Sequence, residues 1–330
     1  MIPKENLVDY MTPLYVAQAH HRRLVSRLRK SPIDLQKIYH ETFEAHLKRG
    51  EIVELSSAEI DEVDGNFITP VLVYKPDRAK TKLRICWNLS LKNKNGKCIN
   101  DAVLTGLNLI KNLLSHILNL RKGRYLILAD IEKAFMRIKY LDGFTKYFKL
   151  LYAKDLDEVP KLYKMVVVLF GLCSSPFSLN RTLSYHIEKI MAEEPQFTSF
   201  CITLFKAFYL DDLGVSFSTK EEAALFVQQA IRVLKMGNFR LTQWVASDQS
   251  ILAGIDPELI KPISKNDLIS LRTGSSLEEA PQVLGANNKV IQFGSDLNPT
   301  ENESRGGGLK CLGISYSPYT DKLFFEKETL

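Results

Sequence analysis

Leu204-Phe-Lys-Ala-Phe-Tyr-Leu210-Asp211-Asp212-Leu213-Gly-Val-Ser-Phe217 is the stretch on which the reading of this chain turns. Two short apolar runs, Leu204 to Leu210 and Leu213 to Phe217, flank a pair of acids, which predicts two strands joined as a hairpin. Taken alone, an Asp-Asp pair is most simply a turn, because Asp is a preferred turn residue. Upstream, however, the continuous apolar run Tyr125-Leu-Ile-Leu-Ala129 reads as a buried central strand and ends in a third acid, Asp130. Ionised groups are costly to bury and like charges repel, so three acids at one sheet edge need cations between them. Two Mg²⁺ ions roughly 3.5–4 Å apart would neutralise them and leave positions for a triphosphate.

Working outward, Ser31 to Gly50 predicts a helix, with Ile33, Ile38, Phe43 and Leu47 recurring at helical spacing. Phe67 to Tyr74 and Lys82 to Leu89 predict strands joined through a Lys/Arg-rich hairpin tip. Leu107 to Leu120 and Phe177 to Met191 predict helices, the second started by Pro176. Ser218-Thr-Lys-Glu221 offers a capping box for an amphipathic helix that stops at Gly237. Strand, helix, hairpin and helix in that order describe a split α+β sheet. Residues 272–308, rich in Gly, Ser, Asn and Glu, predict an exposed, mobile insertion, after which Leu309 to Tyr316 and Leu323 to Phe325 recover a strand pattern.

A chain of 330 residues can bury a full core and is expected to form two lobes. No apolar run reaches the roughly 18 residues of a membrane span, and the polar N-terminus is not that of a secretory signal. Five widely spaced cysteines, with no CxxC, argue against a disulfide framework or a structural zinc. A reduced, intracellular protein is expected, cytoplasmic or nuclear, with no membrane partner. The net charge is +6, and Val71 to Lys97 carries eight cations (Lys75, Arg78, Lys80, Lys82, Arg84, Lys92, Lys94, Lys97) against Asp77. Clustered positive charge beside strands is the footprint of a phosphate-bearing partner.

Tyr209-Leu-Asp211-Asp212 resembles the Tyr-x-Asp-Asp hairpin of reverse transcriptases. Leu128-Ala-Asp130-Ile-Glu-Lys-Ala-Phe135 resembles that family's first catalytic motif, and Phe170-Gly171-Leu-Cys-Ser-Ser-Pro176-Phe177 its Gly-x-x-x-Ser-Pro motif. The three stand in the family's order. Lys82 to Ser90, Ile99 to Asp101, Gly237 to Trp244 and Leu312 to Tyr316 are similar to Bel/Pao-type LTR retrotransposon polymerases, so the likeness runs from about residue 14 to 325 outside the insertion.

That resemblance implies a right-hand polymerase with fingers and palm, a ferredoxin-like split palm sheet, and a thumb that is absent or truncated. It divides the chain into a lead-in and fingers (1–122), a palm (123–255, with a fingers excursion near 146–165), an irregular insertion (256–308) and palm/thumb junction strands (309–330). It implies RNA-directed DNA synthesis from dNTPs on a primed RNA or DNA template, with two Mg²⁺ or Mn²⁺ ions. Asp130, Asp211 and Asp212 would be the catalytic acids, and the Ile131 carbonyl a further metal ligand. Phe135 would be the gate against a ribose 2′-hydroxyl, and Phe170 and Gly171 would shape the nucleotide pocket. Lys75, Lys82 and Arg84 would hold the triphosphate. Pro176, Tyr209, Lys80 and Gly313 would contact nucleic acid. Three positions depart from the family pattern: Asn88 where an aspartate is usual, Leu169 where a proline is, and Gln243 where a lysine precedes Trp. Glutamine cannot protonate a leaving pyrophosphate. Two rivals therefore stand beside the polymerase: a catalytically inactive nucleic-acid-binding protein derived from a retrotransposon, and an RNA-templated RNA polymerase.

Overall fold

In the computed structural model the described residues are 7–31, 34–56, 65–75, 83–261, 288–290, 309–311, 314–317 and 322–326. The main helices are α1 (Leu14–Arg29), α2 (Leu35–Lys48), α3 (Leu113–Leu120), α4 (Ser175–Glu193), α5 (Thr198–Ala207) and α6 (Lys220–Met236). The strands are β1 (Ile52–Glu54), β2 (Thr69–Tyr74), β3 (Leu83–Asn88), β4 (Tyr125–Ile131), β5 (Lys149–Tyr152), β6 (Lys161–Met165), β7 (Phe208–Tyr209), β8 (Asp212–Phe217), β9 (Leu241–Ala246), β10 (Asn288–Val290), β11 (Leu309–Cys311), β12 (Ile314–Ser317) and β13 (Lys322–Glu326). The chain forms two compact units, Met1–Leu109 with Lys133–Tyr185, and Ile110–Glu132 with His186–Leu330.

The first unit holds the sheet β1-β6-β5 and the hairpin β2-β3. Phe43 on α2 stacks on Tyr152 of β5 at 3.6 Å between ring centroids, inside a core that also takes in Trp87, Met165 and Leu169. Helix α2 starts later than the sequence pattern predicts, because the Asp34 side chain accepts the Lys37 amide and so caps the helix there. The Lys/Arg-rich tip between β2 and β3 falls outside the described residues.

The second unit is built on the antiparallel sheet β7-β8-β4-β9, with β4 central. Helix α6 packs on β4 and β8 through a stripe of Ala223, Phe226, Val227, Ala230, Val233 and Leu234. Its capping box is Thr219 with Glu222, one residue beyond the predicted pair. Leu204 to Ala207 is the end of helix α5, not the start of a strand, and only Phe208-Tyr209 pairs with β8. Cys201, Leu204 and Ala207 recur three residues apart and are buried, which is helical spacing. Helix α3 likewise starts at Leu113 and not Leu107, since Asn112 caps it through the Ser115 amide. A second sheet, β10-β13-β12-β11, includes a strand inside the segment expected to be irregular; the rest of 272–308 falls outside the described residues.

No described helix is long and apolar enough to cross a membrane. Cys86, Cys98, Cys173 and Cys201 are thiols and form no disulfide among the described residues.

Candidate active site

Strand β4 carries Asp130 at its end, and its register with β8 sets Asp130 directly opposite Asp212. Asp130 and Asp212 line one pocket of about 100 Å³ together with Leu128, Ala129, Gln243, Val245 and Lys261. Like charges directly across a strand pair are destabilising, so the site concentrates negative potential that it must offset. Gln243 Nε2 donates to Asp130 Oδ2 at 3.3 Å, and Lys261 also lines the pocket.

Two backbone devices place these groups. Tyr209 pairs with Asp212, leaving Leu210 and Asp211 as a two-residue turn, and Leu210 has φ +60°, as primed hairpin turns require. Glycine normally takes that position; a leucine there is strained. On the other side, β9 is bulged. Leu128 faces Val245 and Asp130 faces Thr242, so Gln243 and Trp244 together oppose Ala129, with Gln243 at φ +55°. Trp244 is fully buried, and its carbonyl accepts the Lys261 amide at 3.0 Å. That bond ties the segment carrying Lys261 onto β9.

The structure brings together two of the three predicted acids. The Asp211 carboxyl is not part of the pocket, and among the described residues no three Asp, Glu, His or Cys side chains group as one ion would need. Burial raises the Asp211 carboxyl above the usual carboxylate range, partly offset by its own backbone N–H. Its carbonyl accepts the Ile131 amide at 3.1 Å, which ties the hairpin to β4.

The hairpin is held from behind by residues that no motif marks. Lys111 Nζ donates to the Phe205 carbonyl and, at 2.9 Å, to the Phe208 carbonyl, capping the end of α5 just before Tyr209. Burial brings its pKa down to about 8. His116, buried with its ring 5.7 Å from that of Tyr209, is held neutral at about 4 by burial and by the charge of Lys111. The Lys261 contact has no sequence signature at all, whereas Lys111 could have been suspected as a lone cation ahead of an apolar helix.

In the first unit Phe135 and Phe170 come together, with ring centroids 6.0 Å apart; Phe135 is half-buried and Phe170 is 71% exposed. Gly171 takes φ +95°, which favours glycine, and its carbonyl accepts Asn100 Nδ2 at 2.9 Å. Asn100 Oδ1 also accepts the Cys173 amide, and Ser175 Oγ donates to the Leu169 carbonyl, so the Phe170-Gly171 turn is held at both ends. Pro176 is half-buried in the first turn of α4. Arg84 is exposed on β3 opposite Val73, and Lys75 is exposed just past β2. Lys80, Lys82 and Gly313 lie outside the described residues.

Strand β4 and the acidic hairpin thus set two aspartates opposite each other across a strand pair of a mixed helix-and-sheet chain. The model of the family "Reverse transcriptase (RNA-dependent DNA polymerase)" matches residues 73–243, which include Asp130, Asp211, Asp212, Phe135, Phe170 and Arg84. The chain belongs to the reverse transcriptase family. Among solved structures it is similar to a foamy viral protease–reverse transcriptase in complex with double-stranded DNA, at 15% identity and a TM-score of 0.43. That match covers 59% of this chain and 28% of the viral one. A comparison with curated proteins gives no match.

Proposed function

We propose that the chain is an RNA-directed DNA polymerase of Bel/Pao-type retrotransposon origin, which adds dNTPs to a primer 3′-hydroxyl on an RNA or DNA template. The observation that carries this reading is the cross-strand pairing of Asp130 with Asp212 inside the family-matched region. Paired carboxylates lining a pocket are hard oxygen donors, and their mutual repulsion makes a divalent cation a fitting occupant. Asp130 and Asp212 would hold Mg²⁺ or Mn²⁺; Asp211 and the Ile131 carbonyl, the further ligands that the family resemblance implies, would have to turn toward the pocket to complete a two-ion site. Bound there, the ions would acidify the primer hydroxyl and neutralise charge on the departing pyrophosphate.

The chain's own residues do the rest. Phe135 closes off the space a ribose 2′-hydroxyl needs, and Phe170 and Gly171 present a ring face and a backbone turn to the nucleotide. Arg84, Lys75 and Lys82 bind the triphosphate, Arg84 in two-point fashion. Tyr209, Pro176, Lys80 and Gly313 meet template and primer. In this reading the β7-β8-β4-β9 sheet is the core of the palm (123–255), and the β2-β3 hairpin belongs to the fingers.

The test is extension of a DNA primer on an RNA template with Mg²⁺ or Mn²⁺, comparing the wild type with Asp130→Asn and Asp212→Asn. Incorporation by the wild type, lowered roughly 100-fold or more in either variant, is expected. Binding of Mn²⁺, followed by calorimetry, should weaken in the same variants. Equal extension by Asp212→Asn would overturn the site. Metal and RNA binding with no incorporation by the wild type would leave the inactive nucleic-acid-binding reading. Phe135→Ala should admit NTPs, whereas a wild type that already prefers NTPs points to an RNA polymerase.

A further inference from the structure

Helix α1 lies outside the family-matched residues, and its sequence, LYVAQAHHRRLVSRLR, contains no acid. It carries Arg22, Arg23, Arg27 and Arg29, followed by Lys30 and preceded by His20 and His21. Ala17, Leu24 and Leu28 form its buried side. At about 100° per residue, Tyr15, Arg22, Arg23, Ser26, Arg29 and Lys30 fall on the opposite side. All six are exposed, as is Arg27 at the edge of this face, and Tyr15 is 60% exposed. Arg29 pairs with Asp157, an exposed contact; among the described residues no ion pair involves Arg22, Arg23, Arg27 or Lys30.

An ordinary solvated face intersperses both signs. The cations at the C-terminal end of α1 are partly explained by the helix dipole. Arg22 and Arg23 in mid-helix are not, and Arg23 with Arg27 is a like-charge pair at i,i+4, which costs helix stability. A polyanion would reverse that cost. From Arg22 to Arg29 the helix rises about 10 Å, enough to span roughly three phosphates of one helically stacked strand. Guanidinium groups bind phosphate in two-point fashion, and an exposed tyrosine on the same face offers a surface for base stacking. The apolar residues of α1 are spent on the protein: the helix packs on α2, β2 and β5, and an interfacial membrane helix would need that side free.

We infer that the outer face of α1 is an accessory binding surface for the phosphate backbone of single-stranded nucleic acid, separate from the Asp130–Asp212 pocket. This holds whether or not the chain polymerises, because binding is read without dNTPs.

The test uses the full chain in EDTA and a fluorescently labelled single-stranded RNA 20-mer, followed by anisotropy across a salt series. The triple variant Arg22→Gln/Arg23→Gln/Arg27→Gln should bind at least 10-fold more weakly at 0.1 M salt. Its log–log salt slope should be shallower by about 2, from three lost phosphate contacts at about 0.7 each. Tyr15→Ala should weaken binding without changing the slope. A control variant, Lys37→Gln/Lys48→Gln/Lys154→Gln, removes the same charge from other exposed positions and should leave both quantities near wild type. Circular dichroism and thermal unfolding confirm that each variant is folded. Unchanged affinity and slope in the triple variant overturn the inference, as does an equal loss in the control. Loss of binding to phosphatidylserine vesicles with RNA binding retained overturns it in favour of a membrane surface. An extension assay on the triple variant with a saturating primer–template separates this surface from the polymerase reading, since incorporation should persist there.

Discussion

Glu51→Gln should cost the first unit up to about 3 kcal/mol at neutral pH and almost nothing near pH 2. Glu51 is buried in the turn between α2 and β1, just after Gly50 at φ +65°. His46 Nδ1 lies 2.6 Å from its Oε2, and Arg49 donates to both its oxygens, Nε at 2.7 Å and Nη2 at 2.8 Å. Burial alone would raise this carboxyl; the bonds from His46 and Arg49 outweigh it and hold the pKa at about 2, against 4.5 unperturbed. The native state therefore binds this proton less readily than the unfolded chain does. The stabilisation is fully present above pH 4.5 and is lost as pH falls toward 2. At 1.36 kcal/mol per pH unit that depression corresponds to at most about 3 kcal/mol, less what solvent screening at the part-exposed Arg49 removes. The two tryptophans sit one in each unit, Trp87 in the first and Trp244 in the second. In a Trp244→Phe background, urea unfolding followed by Trp87 fluorescence thus reports the first unit. The stability gap between parent and Glu51→Gln should close progressively between pH 4.5 and 2, while other carboxylates titrate alike in both. A gap of the same size at pH 6 and pH 2.5 would refute the assignment of the stabilisation to the ionised carboxylate.

Gly106→Ala should destabilise by more than about 2 kcal/mol in chemical denaturation, because φ is +81° and a Cβ there would lie 2.3 Å from Phe177 Cγ; Phe177→Ala should recover part of the loss. Lys111, with its pKa brought to about 8 by burial, should be half neutral at pH 8 and acylate ahead of exposed lysines, as read by peptide mass spectrometry. Lys111→Met should then abolish that early label. Replacing Leu210 and Gln243 together by glycine should leave stability unchanged or raise it by up to about 1 kcal/mol, while lowering primer extension. A loss of both stability and activity would count against strain at these two sites.

The strands and the α6 stripe were readable because burial follows the two periods that a sequence displays, two residues for strands and 3.6 for helices. Tyr125 to Ala129 is an unbroken apolar run, and β4 is indeed central. A short apolar run carries no such period. Leu204 to Ala207 could be strand or helix, and only packing of Cys201, Leu204 and Ala207 makes it helix. Boundaries moved where a polar side chain captured a backbone amide: Asp34, Asn112 and Thr219 each reset a helix start. At the site, the pairing of Asp130 with Asp212 could be anticipated from their motifs. The exclusion of the Asp211 carboxyl from the pocket could not, because adjacent residues at a two-residue turn have no common facing. Lys261 depends on a backbone bond to Trp244, which leaves no trace in side-chain pattern.

The deeper reason for the gap lies in where the backbone is strained. Sequence reading locates unusual backbone from glycine and proline. Among the described residues the non-glycine residues with positive φ are Lys133, Leu210, Asn238 and Gln243. Lys133 comes two residues after β4, Leu210 forms the β7–β8 turn, Asn238 precedes β9, and Gln243 makes its bulge. Glu132 N–H donates to the Arg240 carbonyl and Ile131 N–H to the Asp211 carbonyl, so β4 is stitched to both neighbours at the end where Asp130 lies. Strain of this kind persists only where surrounding structure over-determines it, and it gathers at functional sites. Here it flanks two carboxylates that already oppose each other across a strand pair. A sheet optimised for stability alone would use glycine at Leu210, leave β9 unbulged and separate Asp130 from Asp212. This sheet does none of these. Its departures at Leu210 and Gln243 fall at that one end, which makes the strain there an argument for a site beside the family match.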